Sequence, residues 1–141
     1  MNRIGKCLCG SVSFTAADPD PKLGACHCTM CQHWSGSALI TATVKPGMMQ
    51  VKGAEHLTHF NSSDWAERVF CSKCGSGLYY EVTAPGAHHA TRYVPVGLFD
   101  DTDGMHLEHE IFHDKRLGVF SYAGETKKLT EAEVMAQFVE G

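Results

Sequence analysis

The segment Cys71-Ser72-Lys73-Cys74-Gly75 places two cysteines three positions apart and follows them directly with a glycine. A pair at this spacing can point two sulfurs at one metal ion from a single tight turn, and glycine lets the backbone turn back beneath the metal. A structural zinc site needs four ligands, so this turn requires two more sulfurs from elsewhere in the chain. We therefore expect a metal ion to join this turn to a distant segment.

The other five cysteines also lie in close groups, and none of the seven cysteines stands outside a group. The groups are Cys7-Leu8-Cys9 and Cys26-His27-Cys28-Thr29-Met30-Cys31. Two sulfurs of the middle group could complete the site but would leave Cys7 and Cys9 as an isolated pair. If Cys7 and Cys9 complete the site instead, all seven cysteines are used. Four thiolates then form one closed site, and three form a second site with an open position, which is the tidier assignment. Closed sites are structural and open sites carry zinc chemistry, so this assignment predicts one metal for folding and one for function.

Two other uses of the cysteines are open at this point. A rubredoxin-like iron centre usually takes two C-x-x-C pairs, whereas one pair here is C-x-C, which favours zinc. A disulfide framework is a minor alternative, because an odd count of seven cysteines would leave one thiol unpaired.

Composition and charge argue against several classes of protein. The chain has 141 residues, 43% of them hydrophobic and 20% charged, as expected for a single domain spanning residues 1–141. A formal charge of −4 without a basic block gives little support to nucleic-acid binding. The longest apolar-leaning stretch, residues 37–44, is far shorter than the roughly 18 residues of a membrane span. The N-terminus lacks the apolar region of a signal peptide, so we expect a cytoplasmic protein.

Short strands dominate the predicted secondary structure. Apolar and polar residues alternate in 10–16 and 39–44, and the turn signals Pro46-Gly47 and Pro85-Gly86 separate strand candidates. Further candidates are 49–52, 57–60, 67–70, 78–82, 93–99 and 107–112. Turn-bounded strands at this density predict a mostly β fold with antiparallel pairing.

Helix signals are concentrated at the end of the chain. Thr130 and Glu133 fit a capping box, Leu129 and Val134 occupy the two staple positions, and the apolar spacing continues to Phe138. These residues predict one C-terminal α-helix. A second, short helix is a weaker expectation over residues 29–34, where strand alternation is absent.

The three cysteine groups, taken in order with their neighbours, resemble a known family. They are Cys7-x-Cys9-Gly10, Cys26-His27-Cys28-x-x-Cys31 followed by Gly36, and Phe70-Cys71-x-x-Cys74-Gly75-Ser76-x-Leu78. This set is similar to the glutathione-dependent formaldehyde-activating enzyme family, also called the GFA or CENP-V-like domain, over nearly the whole chain. Residues 110–112, 114–116 and 129–133 are similar to later segments of the family, whereas 117–120 lack the tryptophan often found there.

The resemblance implies a β-tent fold of stacked small antiparallel sheets stabilised by two zinc ions. The implied ligands of the structural zinc are Cys7, Cys9, Cys71 and Cys74. The implied ligands of the catalytic zinc, which has an open position, are Cys26, Cys28 and Cys31. The implied reaction joins glutathione to formaldehyde to give S-(hydroxymethyl)glutathione, which is carbon–sulfur lyase chemistry.

Together these features predict a thiol-activating enzyme whose partners are a small thiol such as glutathione and a small aldehyde. A zinc ion with three thiolates can hold a fourth thiol as thiolate at neutral pH, although a free thiol has a pKa near 8.5. Trp34 is a candidate for the pocket wall, with core packing as the equal alternative. His27 receives no catalytic role, because a residue between two ligands more often supports them or faces solvent.

Two competing interpretations complete the sequence-based view. A metal site formed by His109 and His113 is not expected, because four residues of a strand span about 13 Å. The competing functional class is a non-catalytic zinc-stabilised binding module or glutathione carrier. Two zinc ions per chain, one of them exchangeable and responsive to thiol, would favour the enzyme, whereas one tightly held zinc would favour the module.

Overall fold

The computed structural model describes the backbone of residues 1–140 and the side chains of residues 1–137. This part of the chain contains eleven strands in two sheets, two α-helices and three short 3-10 helices. The strands are β1 (Arg3–Lys6), β2 (Ser13–Ala16), β3 (Lys22–Cys26), β4 (Leu39–Val44), β5 (Met49–Lys52), β6 (Leu57–Asn61), β7 (Ala66–Cys71), β8 (Gly77–Val82), β9 (Arg92–Pro95), β10 (His106–Ile111) and β11 (Lys127–Lys128). The helices are α1 (Thr29–Ser35) and α2 (Glu131–Glu140), and the 3-10 helices are Ala54–His56, Val96–Leu98 and His113–Lys115. The predicted mostly β fold with a C-terminal helix is confirmed.

The predicted strands agree with the structure where turns bound them closely. β4 and β5 begin and end at the predicted residues. The candidate at 93–99 is shorter than expected, because β9 ends at Pro95, which has no backbone N–H for a ladder, and a 3-10 helix follows. β1, β3 and β11 were not predicted. No helix in residues 1–140 is long and apolar enough to cross a lipid bilayer.

The chain forms two compact units. The larger unit contains Met1–Asp20 and Ala42–Gly104, and the smaller unit contains Pro21–Thr41 with Met105 and the residues that follow it. Each unit holds one of the cysteine clusters described below. A single domain over residues 1–141 stays a prediction.

The larger unit is built from antiparallel strand pairs. In one sheet β2 lies between β1 and β5, and in the other the order β9-β8-β7-β6 is a run of antiparallel neighbours. Its core consists of almost completely buried side chains, and the Phe14 and Phe99 rings pack edge to face at 5.6 Å. The largest of the fully buried side chains here are Val12, Val44, Val69, Leu78 and Val94. This core holds the ends of β1 and β7 in place, where two cysteine turns begin.

The smaller unit departs from the predicted antiparallel pairing. β3 pairs antiparallel with the first half of β4, but β10 pairs parallel with both β3 and β11. Parallel neighbours need a long connection, and the chain between β3 and β10 is far longer than any hairpin. Alternation of apolar and polar residues indicates a strand but not whether its neighbour runs parallel or antiparallel. The sequence therefore did not predict these parallel pairs.

The start of helix α2 follows the predicted capping box. The Glu133 N–H donates to Thr130 Oγ1 and the Thr130 N–H donates to Glu133 Oε1, both at 3.2 Å. Val134 is buried, as its staple position predicted. The side chain of Phe138 lies outside the described residues.

Gly53 is a position where the backbone of the larger unit requires glycine. Its φ is +84°, and a Cβ there would lie 2.0 Å from the carbonyl oxygen of Ser11. Gly47 has a similar φ of +76° but open space around it. We expect Gly53→Ala to lower Tm by about 10 °C and Gly47→Ala by about 3 °C, because only the first adds a backbone clash to the left-handed strain. Thermal unfolding followed by circular dichroism checks this, and equal shifts for the two variants would contradict it.

Candidate metal centres

Four cysteines of the larger unit converge at the ends of two strands. The sulfurs of Cys7, Cys9, Cys71 and Cys74 all lie within 4.8 Å of one another. The first two follow β1 directly, and the other two lie at and after the end of β7. The structure therefore brings Cys7 and Cys9, rather than cysteines of the middle group, to the Cys71 turn.

Both cysteine turns use a glycine in the same way. Gly10 has a φ of +79° and donates its N–H to the Cys7 carbonyl at 3.1 Å. Gly75 has a φ of +78° and donates its N–H to the Cys71 carbonyl at 2.8 Å. Glycine reaches this left-handed backbone without the cost that a Cβ would add. The turns thus bring each pair of sulfurs to one side.

The sulfur spacing of this cluster fits a tetrahedral metal ion. The Sγ atoms of Cys7 and Cys9 are 3.6 Å apart, and those of Cys9 and Cys71 are 3.8 Å apart. Zinc–sulfur bonds of about 2.3 Å in a tetrahedron place the sulfurs about 3.8 Å from one another, whereas a disulfide bond measures about 2.05 Å. All seven cysteines are free, so the disulfide alternative is not what the structure shows.

Hydrogen bonds reach the sulfurs of Cys7 and Cys74, whereas burial raises the pKa of the Cys71 thiol. The Val12 N–H donates to Cys7 Sγ at 3.4 Å. Ser76 Oγ lies 3.3 Å from Cys74 Sγ and accepts the Leu8 N–H at 3.1 Å, so it links the two turns. The hydrogen bond from Ser76 is the largest cause that lowers the pKa of Cys74, to about 5. This donor set fits a structural zinc ion.

The three cysteines of the smaller unit form a second cluster. Cys26 is the last residue of β3, Cys28 is the N-cap residue of α1, and Cys31 lies in the first turns of that helix. Their sulfurs lie within 4.8 Å of one another, and among the described residues no fourth histidine, cysteine or carboxylate joins them. The Cys31 N–H donates to Cys28 Sγ at 3.3 Å. The cluster can therefore offer a metal ion three ligands and leave a position open.

Hydrogen bonds among the three sulfurs shift the pKa values of Cys26 and Cys28 in opposite directions. Hydrogen bonds with Cys28 and Cys31, together with burial, raise the pKa of Cys26. Hydrogen bonds with Cys26 and Cys31 lower the pKa of Cys28 to about 2. Three sulfurs this close cannot all ionise without a compensating positive charge. A soft divalent ion such as zinc would supply that charge, so the donor set fits the implied metal.

His27, which lies between two of these cysteines, is buried rather than solvent-facing. The His27 side chain is only 3% exposed, and its Nε2 lies 2.7 Å from Glu110 Oε1. The backbone N–H of His27 donates to the Ile111 carbonyl at 3.0 Å. The Gln32 side-chain amide donates to the His27 carbonyl at 2.6 Å and to the Lys115 carbonyl at 2.8 Å. These contacts attach the cysteine segment to β10 and to the 3-10 helix that follows it.

The contact of Glu110 with His27 could not be predicted from the sequence. The two residues are 83 positions apart, so no local pattern indicates their contact. His109 lies in β10, whereas His113 begins the 3-10 helix that follows this strand.

The structure combines a mostly β fold with one four-cysteine cluster and one three-cysteine cluster, each of which could hold a metal ion. Residues 2–115 match the family described as "Glutathione-dependent formaldehyde-activating enzyme". The chain belongs to this family.

Known proteins similar to this chain include a curated relative and a solved structure. An uncharacterized lyase of Schizosaccharomyces pombe (strain 972) is 29% identical over 137 residues, which are 96% of each chain. A crystal structure of a Rhodobacter sphaeroides protein matches with a TM-score of 0.57 and 22% identity, and covers 90% of this chain and 99% of that one. The second likeness shows a shared fold.

Proposed function

We propose that the protein is a zinc-dependent carbon–sulfur lyase of the S-(hydroxymethyl)glutathione synthase type. The observation that carries the proposal is the cluster of Cys26, Cys28 and Cys31, which has three convergent sulfurs and an open fourth position. Family membership and the lyase name of the Schizosaccharomyces pombe relative support the reaction class. The clustered free thiols suit a reducing cytoplasm, which is part of the proposal.

The proposed reaction adds a thiol to an aldehyde carbon. The carbon–sulfur bond forms as the carbonyl π bond opens, and the proton lost by the thiol ends on the aldehyde oxygen, so the product is a hydroxymethyl thioether. The reverse reaction breaks the same bond. Zinc at the three-cysteine cluster would supply a site that binds the substrate thiol in its thiolate form.

The chain's own residues hold this site in shape. The N–H of Cys31 donates to Cys28 Sγ and stabilises negative charge on it, as an N–H does for any thiolate. Gln32 ties the start of α1 to the carbonyls of His27 and Lys115. The first contact orients one sulfur, and the second holds the cysteine segment against the residues that follow β10.

An anionic thiol such as glutathione needs nearby positive charge, and Lys115 and Arg116 supply it in this proposal. Both side chains are exposed on the segment that Gln32 contacts. Arg116 donates to the His113 carbonyl at 3.1 Å, and Lys115 lies 3.4 Å from Glu131. These cations would bind the carboxylates of glutathione. The protein would then prefer glutathione to a simple thiol that has no carboxylate.

The four-cysteine cluster has a structural role in this proposal. Cys7 and Cys71 are completely buried, and the cluster connects two turns that no disulfide joins. A zinc ion held by all four cysteines would leave no position for substrate.

The test is the rate at which the protein interconverts free and hydroxymethylated glutathione. With formaldehyde and glutathione at equilibrium, exchange spectroscopy by NMR measures this rate directly. We expect acceleration in proportion to enzyme, weaker acceleration with mercaptoethanol, and a zinc content of two per chain with one zinc exchangeable by added thiol. Saturable glutathione binding without acceleration, in protein with both metals bound, would instead establish a carrier.

A further inference from the structure

A buried polar network lies beside the three-cysteine cluster, and none of its side chains takes part in the proposed bond-forming step. Three polar side chains lie close to Glu110 of β10, which is 5% exposed; His113 Nε2 is the farthest, at 4.0 Å from Glu110 Oε1. His27 Nε2 lies 2.7 Å from Glu110 Oε1, and the Thr126 hydroxyl donates to Glu110 Oε2. A buried carboxylate is costly unless it is hydrogen-bonded. Both oxygens of Glu110 have a partner, since His27 lies at Oε1 and Thr126 at Oε2.

The His27 ring is confined by aromatic neighbours as well as by Glu110. The rings of His113 and Tyr122 lie with their centroids 5.8 and 5.9 Å from that of His27, and Phe120 lies at 6.4 Å. Contacts on several sides leave the imidazole little freedom to change rotamer. The hydrogen bond to Glu110 thus selects one orientation inside a closed cage.

The orientation of His27 has a direct consequence for its two cysteine neighbours. Cys26 ends β3 and Cys28 has the extended backbone of an N-cap residue, with φ of −63° and ψ of 156°. In extended backbone, successive side chains point to opposite sides. Because His27 points into the cage, Cys26 and Cys28 point together to the other side, where Cys31 meets them.

Glu110 is suited to fix this arrangement because it is a strong acceptor. Burial raises its pKa, but hydrogen bonds from Thr126 and His27 outweigh burial and lower the pKa overall. An ionised acceptor makes a bond roughly twice as strong as a neutral one.

We propose that Glu110 is a positioning residue of the three-cysteine site, acting through its hydrogen bond to His27 to set the direction of the Cys26 and Cys28 sulfurs. The proposal rests on the proposed function of the same site, but it concerns how the site is held rather than which reaction follows. Partners that hydrogen-bond directly to metal ligands typically change metal affinity by 10–100-fold when removed, and we expect a loss in this range for Glu110, which acts through the residue between two candidate ligands.

The test uses Co²⁺ as a spectroscopic probe of both clusters in the full chain. Glu110→Ala removes the acceptor, Glu110→Gln keeps the shape with a neutral acceptor, and Glu108→Gln on the same strand is the control, since Glu108 is partly exposed. We expect the three-cysteine cluster to bind Co²⁺ about 100-fold more weakly in Glu110→Ala and about 10-fold more weakly in Glu110→Gln. The four-cysteine cluster and the Glu108→Gln protein should bind it as the parent does.

A second pair of variants distinguishes positioning from general stability. His27→Phe keeps a ring in the cage but cannot donate to Glu110, so Glu110→Gln should cause no further loss of Co²⁺ affinity in that background. If the Glu110→Ala protein does not fold, the proposal is tested by the Co²⁺ affinities of Glu110→Gln in the parent and in the His27→Phe background. Additive losses, parent-like binding by Glu110→Gln, or equal losses at both clusters would overturn the proposal. Failure of the glutathione assay with the expected Co²⁺ results would overturn only the proposed reaction.

Discussion

Replacing Cys71 by serine is expected to abolish cooperative folding of the larger unit. Cys71 is fully buried at the end of β7, and its sulfur lies 3.8 Å from that of Cys9 across the two turns. Structural zinc contributes about 10–16 kcal/mol in zinc-finger peptides, which is comparable to the whole stability of about 5–15 kcal/mol of a typical domain. We therefore expect Tm to fall by at least about 15 °C, or the transition to disappear, together with loss of one metal per chain.

The control for this variant is Ser72→Ala in the same turn. It removes hydrogen bonds to Thr58 and to the His56 carbonyl but no sulfur, and it should shift Tm by no more than about 4 °C. Calorimetry with metal analysis of both proteins measures the difference. If Cys71→Ser lost its metal and still unfolded near the parent temperature, the four-cysteine cluster would have no structural role.

Replacing Cys28 by serine is expected to abolish turnover and leave the fold intact. Serine is itself a preferred N-cap residue, so α1 should still begin at Thr29. The three-cysteine cluster loses one ligand, whereas the four-cysteine cluster is unchanged. We expect one metal per chain instead of two, a Tm close to that of the parent, and a rate of glutathione exchange reduced by about 10³-fold or more.

Metal analysis and the NMR exchange assay on the same sample test this prediction. Met30→Leu is a suitable control, because Met30 lies between the candidate ligands Cys28 and Cys31 in sequence, is partly exposed and offers no thiol. It should keep both metals and near-parental exchange. Unchanged turnover by Cys28→Ser with two metals bound would show that this cluster is not the reactive site.

The cysteine division illustrates what local sequence can predict. Cysteines separated by one or two residues share a turn wherever the chain goes, so the three groups and their glycines could be identified directly. The strands 39–44 and 49–52 were predicted well for a similar reason, because alternation and Pro-Gly turns are properties of adjacent residues. β3 was missed, because Lys22 and Gly24 obscure its pattern and its stability comes from pairing with β4 and β10.

The amino-acid sequence alone predicted the family, the mostly β fold, the capped C-terminal helix and the candidate metal ligands, and the structure brings Cys7 and Cys9 to the Cys71 turn as expected. The parallel pairing of β10 with β3 and the contact of Glu110 with His27 became visible only in the folded chain. These two features share one cause. A contact between segments many residues apart depends on chain direction and on burial, and neither is encoded in the spacing of neighbouring residues.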